Sequence, residues 1–314
     1  MTLFSRNEFL SLMAKADAFG MKYEFVDHPI PVDKGNLFYG PHPRHHDYQE
    51  RHYSDDTQMS LANAELLLKK KDLSKITKLD FIRAWQETFK RDPRVGYSKY
   101  MYAQMSSDMT PKQFCEKFAS NTGTTSGAAM RAAPFGLIED FNLAINLASE
   151  QASITHNSPA GRFSASVVTA AVHFLHHGGH FDYLQYFLEN TVTGRWLPVW
   201  KDPQCGLVED PNNGLKIVGQ ALAATEDKKS LAEVFLSSVS QSRVADTDTI
   251  ATMAAAISSR RQDIIDDLPL ALHDTLENGP YGRDYLGEID KKLMKTFPPS
   301  TLYTKRLPFM GARL

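Results

Sequence analysis

Cysteine is scarce in this chain, which has two among its 314 residues, Cys115 and Cys205. They lie far apart and in none of the paired spacings that bind zinc. Such usage disfavours a disulfide-stabilised secreted domain and a cysteine-ligated metal site. We therefore expect two reduced thiols in a cytoplasmic protein.

Long apolar runs and excess charge are lacking as well. No apolar run approaches the roughly 20 residues that a membrane-spanning helix needs, and the N-terminal segment lacks the uninterrupted apolar core of a signal peptide. Lysine and arginine number 35 against 37 aspartates and glutamates, which gives a net charge of −2. We therefore expect no membrane partner, and this charge balance disfavours a dominant nucleic-acid surface.

Helical spacing of apolar residues is what the sequence has in abundance. Segment after segment shows this periodicity, and few segments alternate in the manner of a strand. The connections carry proline, glycine, asparagine and aspartate, and none is a long low-complexity linker. The pattern predicts an all-α fold, with a single domain over residues 1–314 formed by many helices around one core.

Two acidic segments each precede an apolar helix: SDDT at residues 54–57 and DTDT at residues 246–249. Either could be a helix cap, because aspartate and threonine accept hydrogen bonds from free amides and complement the helix dipole. A cap needs one such side chain, however, and each segment has more. If the segments meet, four carboxylates share one cavity and need cations to remain ionised. Oxygen ligands of this kind select Mg²⁺, Mn²⁺ or Ca²⁺, and four carboxylates suit two ions.

The chain resembles the ADP-ribosylglycohydrolase family in five segments that occur in the same order. They are ADAFGMKYEF, SDDTQM, SGAAMRAAPFGL, ITHNSPAG and VADTDTIATMAAAI. The first is similar to the family pattern G-D-A-x-G-x-x-x-E, in which Asp17, Gly20 and Glu24 match. The resemblance implies an orthogonal multi-helix bundle. It also implies a glycosyl hydrolase that cleaves the bond between ADP-ribose and a modified protein side chain.

The same resemblance implies the cofactors and the catalytic residues. Two divalent cations, Mg²⁺ or Mn²⁺, are expected between the acidic segments. Their implied ligands are Ser54, Asp55, Asp56, Asp246, Asp248 and Thr249. In this scheme a metal-activated water attacks the ribose, and Asp56 or Asp248 takes its proton. Glu24 matches a family glutamate on a mobile loop that gates the site or helps to activate the water.

The substrate-binding positions also follow from the resemblance. They are Ser126, Gly127, Ala128, Met130, His156 and, through a loose match, Gly214. Small residues before a helix let backbone amides approach a diphosphate, so we expect a helix near Ser126 that ends or kinks at Pro134. Arg131 could contact a phosphate or form a structural salt bridge. The expected partner is an ADP-ribosylated protein, the expected product is ADP-ribose, and we expect a monomer.

Three departures from the family pattern bear on specificity. Serine replaces a threonine at Ser54 and an asparagine at Ser126, and Val244-Ala245 replaces two glycines before DTDT. Ser54 keeps the hydroxyl of the threonine, so we expect a small effect there, whereas Ser126 in place of the asparagine is expected to weaken one polar contact to ADP-ribose. A bulkier residue at Val244 would reshape the pocket, which bears on substrate identity more than on metal binding.

Two histidines form a pattern outside these motifs. His173 and His177 have the i, i+4 spacing of zinc ligands, but no glutamate accompanies them in the arrangement of a zinc protease. We expect partly exposed structural histidines at the end of a helix, where a charged imidazole complements the dipole.

The residues leave three functions open. The first is a hydrolase that releases ADP-ribose from arginine or, in second place, from serine. The second is a catalytically weak protein that binds ADP-ribose or blocks a transferase as an interaction partner. The third is a hydrolase of another ribosyl metabolite. The intact acidic segments and Glu24 favour the first.

Overall fold

A computed structural model describes residues 6–27, 30, 33–192, 213–240 and 245–304. Over these ranges the chain forms α-helices and short 3₁₀ turns, and its extended segments pair only in three isolated bridges. The predicted all-α fold class is therefore confirmed. No helix in the described ranges is both long enough and apolar enough to cross a bilayer. Cys115 is a free thiol, whereas Cys205 and Val244 lie outside the described residues.

The α-helices follow one another with short connections, as the apolar periodicity predicts. In chain order they are α1 (Leu10–Gly20), α2 (Asp55–Lys69), α3 (Lys78–Arg91), α4 (Lys99–Met105), α5 (Pro111–Lys117), α6 (Phe141–Thr155), α7 (Pro159–His176), α8 (Leu184–Thr191), α9 (Gly214–Thr225), α10 (Leu231–Ser240), α11 (Thr247–Ser258), α12 (Leu270–Asp274) and α13 (Arg283–Thr296). Between α1 and α2 the described part of the chain forms no α-helix. It contains two 3₁₀ turns, Met21–Tyr23 and Lys34–Asn36.

Helices α1 and α11 form the centre of the molecule. Every residue of both helices is buried, which is the pattern of a helix that is covered on all sides. The two helices pack closely against each other, and α1 also packs against α2, α10 and α13. At their crossing a Cβ atom on Gly20 would lie 2.5 Å from the Cα atom of Asp248. Only glycine permits so close an approach of the two backbones.

The start of α1 is capped by a side chain from the other end of the sequence. Phe9 occupies the N-cap position and supplies no capping side chain. The buried carboxylate of Asp290, on α13, instead accepts hydrogen bonds from the amides of Phe9, Leu10 and Ser11 at 3.0, 2.8 and 3.0 Å. These amides have no partner within the helix, so Asp290 ties the last helix of the described chain to the first.

The helix expected from Ser126 to Pro134 does not form, and that prediction was wrong. The segment instead makes two short 3₁₀ turns, Ser126–Ala128 and Ala133–Leu137. Pro134 has no amide that could pair with Met130 O in a continuous α-helix. Side chains on α2 bind the carbonyl groups of this segment instead: the Ser60 hydroxyl donates to Met130 O, and the Asn63 amide donates to Arg131 O. These tertiary hydrogen bonds outweigh the local helical preference.

The prediction of partly exposed, charged histidines on α7 was also wrong. His173 and His177 are fully buried. Burial lowers the pKa of His173 to about 3, so its ring is neutral at physiological pH. Its two nitrogens lie 2.9 Å from the carbonyl oxygen of Ile138 and 3.0 Å from the hydroxyl of Tyr303. The chain near residue 303 therefore covers this end of α7, and the histidines are internal hydrogen-bonding groups.

The cap on α1 can be tested by substitution. Replacing Asp290→Ala leaves three buried amides without an acceptor, and we expect the free energy of unfolding to fall by about 2–4 kcal/mol. Asp290→Asn keeps one acceptor oxygen and should lose less. Exposed Glu288, on the same helix, offers a matched control in Glu288→Ala, which should change little. Chemical denaturation measures all three, and equal stability of Asp290→Ala and the unmodified protein would contradict the cap.

Candidate active site

The two acidic segments, although distant in sequence, line one cavity of about 480 Å³. Asp55 and Asp56 reach it from the first turn of α2, and Asp246, Asp248 and Thr249 reach it from the start of α11. The hydroxyl of Thr249 acts on the Asp56 carboxyl across the junction, where it partly opposes the rise in the pKa of that group. The fold therefore brings together the oxygen-rich residues of both segments.

Helix capping accounts for part of the first segment but not for the second. Ser54 is a conventional N-cap, because its hydroxyl oxygen accepts a hydrogen bond from the amide of Asp56 at 3.3 Å. Asp246 occupies the N-cap position of α11, yet its side chain makes no capping hydrogen bond. Its Oδ2 instead accepts a hydrogen bond from the hydroxyl of Ser126 at 2.9 Å. The carboxylate of Asp246 is thus directed to the cavity and held there by another element.

Asp17, from the first family motif, positions the first acidic segment from behind. Its buried carboxylate accepts hydrogen bonds from the amide of Ser54 at 3.0 Å, from the amide of Thr57 at 3.1 Å and from the Thr57 hydroxyl at 2.7 Å. Burial raises the pKa of Asp17 to about 6 against the opposing effect of these hydrogen bonds. Asp17 does not line the cavity. Its role is to fix the orientation of the first turn of α2.

Glu24 enters the cavity from the loop that follows α1. The next residue, Phe25, has a positive φ of 56°, which is uncommon for a bulky side chain. Its amide donates a hydrogen bond of 2.9 Å to the carbonyl of Ala245, the residue before Asp246. This bond joins the Glu24 loop to the second acidic segment. Carboxylate oxygens of Glu24, Asp246 and Asp248 lie within 4.8 Å of one another.

A buried histidine that the sequence motifs do not include holds Glu24. His42 Nδ1 accepts hydrogen bonds from the amides of Arg44 and His45, both at 2.9 Å. The ring proton must therefore be on Nε2, which donates to Glu24 Oε2 at 2.5 Å. Burial lowers the pKa of His42 to about 4, so the contact is a hydrogen bond from a neutral ring. The loop conformation creates this contact, and no spacing in the sequence indicates it.

The electrostatics of the acidic cluster fit divalent cations. Burial and mutual repulsion raise the pKa values of Asp55, Asp56 and Asp248 well above their usual range. Burial and then the charge of Asp246 raise the pKa of Glu24 to about 8. Within the described ranges, the buried Oδ1 atoms of Asp56 and Asp248 have no hydrogen-bond partner, which is rare for buried polar atoms. An all-oxygen donor set of high negative charge is what Mg²⁺, Mn²⁺ or Ca²⁺ would satisfy.

The residues expected to bind substrate, together with the expected metal ligand Ser54, fall into two groups. Ser126, Gly127, Met130 and His156 line the same cavity as the acidic cluster. Three expected site residues lie behind its described lining: Ser54, Ala128 and Gly214.

Contacts of Ala128 and Gly214 show what they do in that second layer. The carbonyl of Ala128 accepts a hydrogen bond from Gln151 Nε2 at 2.9 Å. The amide of Gly214 donates to Thr124 O at 2.7 Å, and a Cβ atom there would lie 2.9 Å from Thr125 O. Both residues support the cavity wall, and a role for them in substrate binding stays a prediction.

Arg131 lies in the wall of the cavity, and its contacts within the described ranges are with neutral groups. Its guanidinium donates hydrogen bonds to Gln151 Oε1 at 2.6 Å and to Thr155 Oγ1 at 2.7 Å. It also stacks over the ring of Trp85 at 4.1 Å. The part of the chain that the structure describes therefore does not supply the salt bridge considered for this residue, and neutral groups fix the guanidinium instead.

Sequence reasoning missed another side of the cavity, which follows α3. Gly96 has φ +103°, and a Cβ atom there would lie 2.0 Å from Asp55 Oδ1. Tyr97, Tyr100 and Phe118 also line the cavity, with the rings of Tyr100 and Phe118 5.6 Å apart. A glycine followed by a tyrosine is common in loops, so the sequence offers no signal that would have singled out these residues.

Comparison with known proteins agrees with this architecture. Residues 10–300 match the family described as ADP-ribosylglycohydrolase. A solved structure described as an ADP-ribosylglycohydrolase-related protein complex superposes with a TM-score of 0.70 and 18% sequence identity, over 92% of this chain and 96% of that chain. At this identity the structural likeness supports the fold alone, whereas the family match spans most of the sequence. The chain therefore belongs to the ADP-ribosylglycohydrolase family, which comprises hydrolases of ADP-ribose linkages.

Proposed function

We propose that this protein is a metal-dependent hydrolase that removes ADP-ribose from a modified protein side chain, with arginine as the first candidate. The observation that carries the proposal is the convergence of the two acidic segments on one cavity, where Asp56 and Asp248 each have an unpartnered buried oxygen. Two divalent cations, Mg²⁺ or Mn²⁺, would be held by oxygens of Asp55, Asp56, Asp246, Asp248 and Thr249, which line the cavity. Ser54 lies directly behind Asp56, and its part as a ligand stays a prediction.

The reaction breaks the bond between the anomeric carbon of the ribose and the side-chain nitrogen. Water oxygen bonds to that carbon, and the transition state has oxocarbenium character that nearby carboxylates stabilise. When bound, the cations would orient the ribose hydroxyls and make the attacking water more acidic. Asp56 or Asp248 accepts a proton from the water and returns it to the departing nitrogen. The products are ADP-ribose and the unmodified side chain.

Glu24 has a position suited to control of the ribose end of the site. Its carboxylate lies beside Asp246 and Asp248, and its loop is fastened on one side by Ala245 and on the other by His42. We assign to Glu24 a role in orienting the attacking water or the bound ribose. His42 is then a positioning residue, because it acts on the reaction through Glu24.

The charge of the site favours a cationic leaving side chain. Five carboxylates line the cavity: Glu24, Asp55, Asp56, Asp246 and Asp248. Two divalent cations would neutralise the four aspartates, so the remaining negative charge is that of Glu24. Its pKa is raised to about 8, and nearby bound cations would favour its ionised form. A guanidinium group would be attracted to that charge, whereas the neutral hydroxyl of serine would not. This balance supports arginine as the first candidate and serine as the second.

Removal of one carboxylate tests the metal site. We expect Asp56→Asn or Asp248→Asn to lower release of ADP-ribose from ADP-ribosyl-arginine protein by about 100-fold or more. Mg²⁺ should raise the Tm of the unmodified protein and not that of the variants. In EDTA the variants should be at least as stable as the unmodified protein, because one repelling charge is gone.

The matched control for this experiment is Asp108→Asn, since the Asp108 side chain is fully exposed. It should keep both activity and the response to Mg²⁺. Full activity in Asp56→Asn and Asp248→Asn would contradict the proposed function. Saturable binding of ADP-ribose without any release would indicate an interaction protein instead.

Two substitutions of His42 separate its hydrogen bonds. His42→Asn can still accept the amides of Arg44 and His45 but cannot reach Glu24, whereas His42→Gln keeps a donor near the position of Nε2. We expect kcat to fall about 10–100-fold in the Asn variant and less in the Gln variant. In a Glu24→Gln background, His42→Asn should cause little further loss. Steady-state kinetics measure these effects, and a fully active His42→Asn protein would rule out positioning by His42.

A further inference from the structure

A chain of four polar side chains leads from a buried guanidinium to the cavity surface. Arg131 donates to Thr155 Oγ1 at 2.7 Å. Thr155 Oγ1 lies 2.8 Å from His156 Nδ1, and His156 Nε2 lies 2.9 Å from Thr125 Oγ1. Arg131, Thr155, His156 and Thr125 all line the cavity. The family motif begins at Ser126, so it gives Thr125 no role.

Hydrogen-bonding capacity gives this chain one direction. A guanidinium can only donate, so the Thr155 oxygen accepts from Arg131. Thr155 is buried, and His156 Nδ1 is the one acceptor for its hydroxyl proton among the described residues; we assign the proton to that bond because a buried donor is rarely left unpaired. With Nδ1 as an acceptor, the proton of a neutral ring is on Nε2 and is donated to Thr125 Oγ1. Neutrality is supported by burial, which lowers the pKa of His156 to about 3. Every donor in the chain therefore points from Arg131 toward Thr125.

Glycine packing fixes the orientation of the His156 ring. A Cβ atom on Gly123 would lie 3.0 Å from His156 Cδ2, one on Gly127 would lie 2.9 Å from Cε1, and one on Gly161 would lie 2.5 Å from the His156 Cβ atom. The backbone thus encloses the ring on several sides. A ring confined in this way holds both of its hydrogen bonds in one arrangement, which keeps the direction of the chain constant.

The last member of the chain presents a free donor to the cavity. Thr125 is exposed on the cavity wall. Its oxygen already accepts from His156, and its hydroxyl proton has no acceptor within the described ranges. Successive hydrogen bonds polarise one another, so the positive charge of Arg131 strengthens this terminal donor. An atom that only accepts hydrogen bonds and carries negative charge is its best match.

We propose that Thr125 binds a phosphate oxygen of the ADP-ribose diphosphate and that Arg131, Thr155 and His156 orient its hydroxyl for this purpose. The proposal rests on the proposed function for the identity of the ligand. Position supports it: the adjacent residue, Ser126, holds Asp246 at the acidic cluster. A ribose over that cluster would place its attached diphosphate near the neighbouring residue along this wall. A ribose hydroxyl is neutral and both donates and accepts hydrogen bonds, so it is a weaker match for the oriented donor than a phosphate oxygen.

Substitutions of Thr125 test the contact in a binding experiment without turnover. We expect Thr125→Val, which keeps the shape of the side chain, to weaken binding of ADP-ribose about tenfold by calorimetry. Thr125→Ser keeps the hydroxyl and should bind almost as well as the unmodified protein. Thr124→Val is the control, because exposed Thr124 lies outside the described lining of the cavity. Equal affinity of Thr125→Val and Thr125→Ser would overturn the proposal.

A second substitution tests orientation through the chain. Thr155→Val interrupts the chain two groups away from the ligand, and we expect it to weaken binding of ADP-ribose at least threefold while Thr125 is unchanged. Thr155→Ser should restore affinity, and thermal unfolding shows whether each variant is folded. If folded Thr155→Val binds as tightly as the unmodified protein, the chain does not orient Thr125 and that part of the proposal fails.

The choice of ligand distinguishes phosphate from ribose. ADP keeps the diphosphate and lacks the terminal ribose, so the Thr125→Val penalty should appear with both ADP and ADP-ribose. A penalty with ADP-ribose alone would overturn the phosphate assignment. These measurements are independent of catalysis: an unmodified protein that binds ADP-ribose without hydrolysing it would refute the proposed function and leave the assignment of Thr125 intact. Failure of the unmodified protein to bind either compound would overturn the Thr125 assignment as well.

Discussion

The close crossing of α1 and α11 at Gly20 is the constraint on which the rest of the site depends. A single methyl group at this position would collide with the backbone of Asp248. One turn earlier on α1, Asp17 fixes the first turn of α2. One turn later, Glu24 enters the cavity from the following loop. Asp17, Gly20 and Glu24 therefore lie at or just after the C-terminal end of α1, and together they position both acidic segments.

The same arrangement destabilises the folded protein when no cation is bound. Several carboxylates are buried side by side, and their raised pKa values show that ionisation is opposed there. Such a cluster lowers the free energy of unfolding of the protein. Bound cations would recover that free energy, since a ligand that binds only the folded state stabilises it. Folding and catalytic competence are then linked through the same few oxygen atoms.

Local sequence patterns predicted the helices and the acidic cluster because both depend on residue type and spacing. Apolar periodicity located α1, α2 and α11, and the excess of acidic residues over capping needs indicated a shared site. The errors arose where distant groups decide the structure. Ser60 and Asn63 divert the carbonyls of the segment after Ser126, and a later segment covers His173. The contact of His42 with Glu24 depends on a loop conformation that no periodicity describes.

The cap of α1 by Asp290 has a consequence for biosynthesis. During translation α1 leaves the ribosome before α13, so three amides at its start lack their acceptor until residue 290 has also emerged. Until then the nascent chain holds a central helix whose first turn is uncapped, although domains commonly fold as units while they are synthesised. We expect α1 to reach its final stability only when α13 docks onto it.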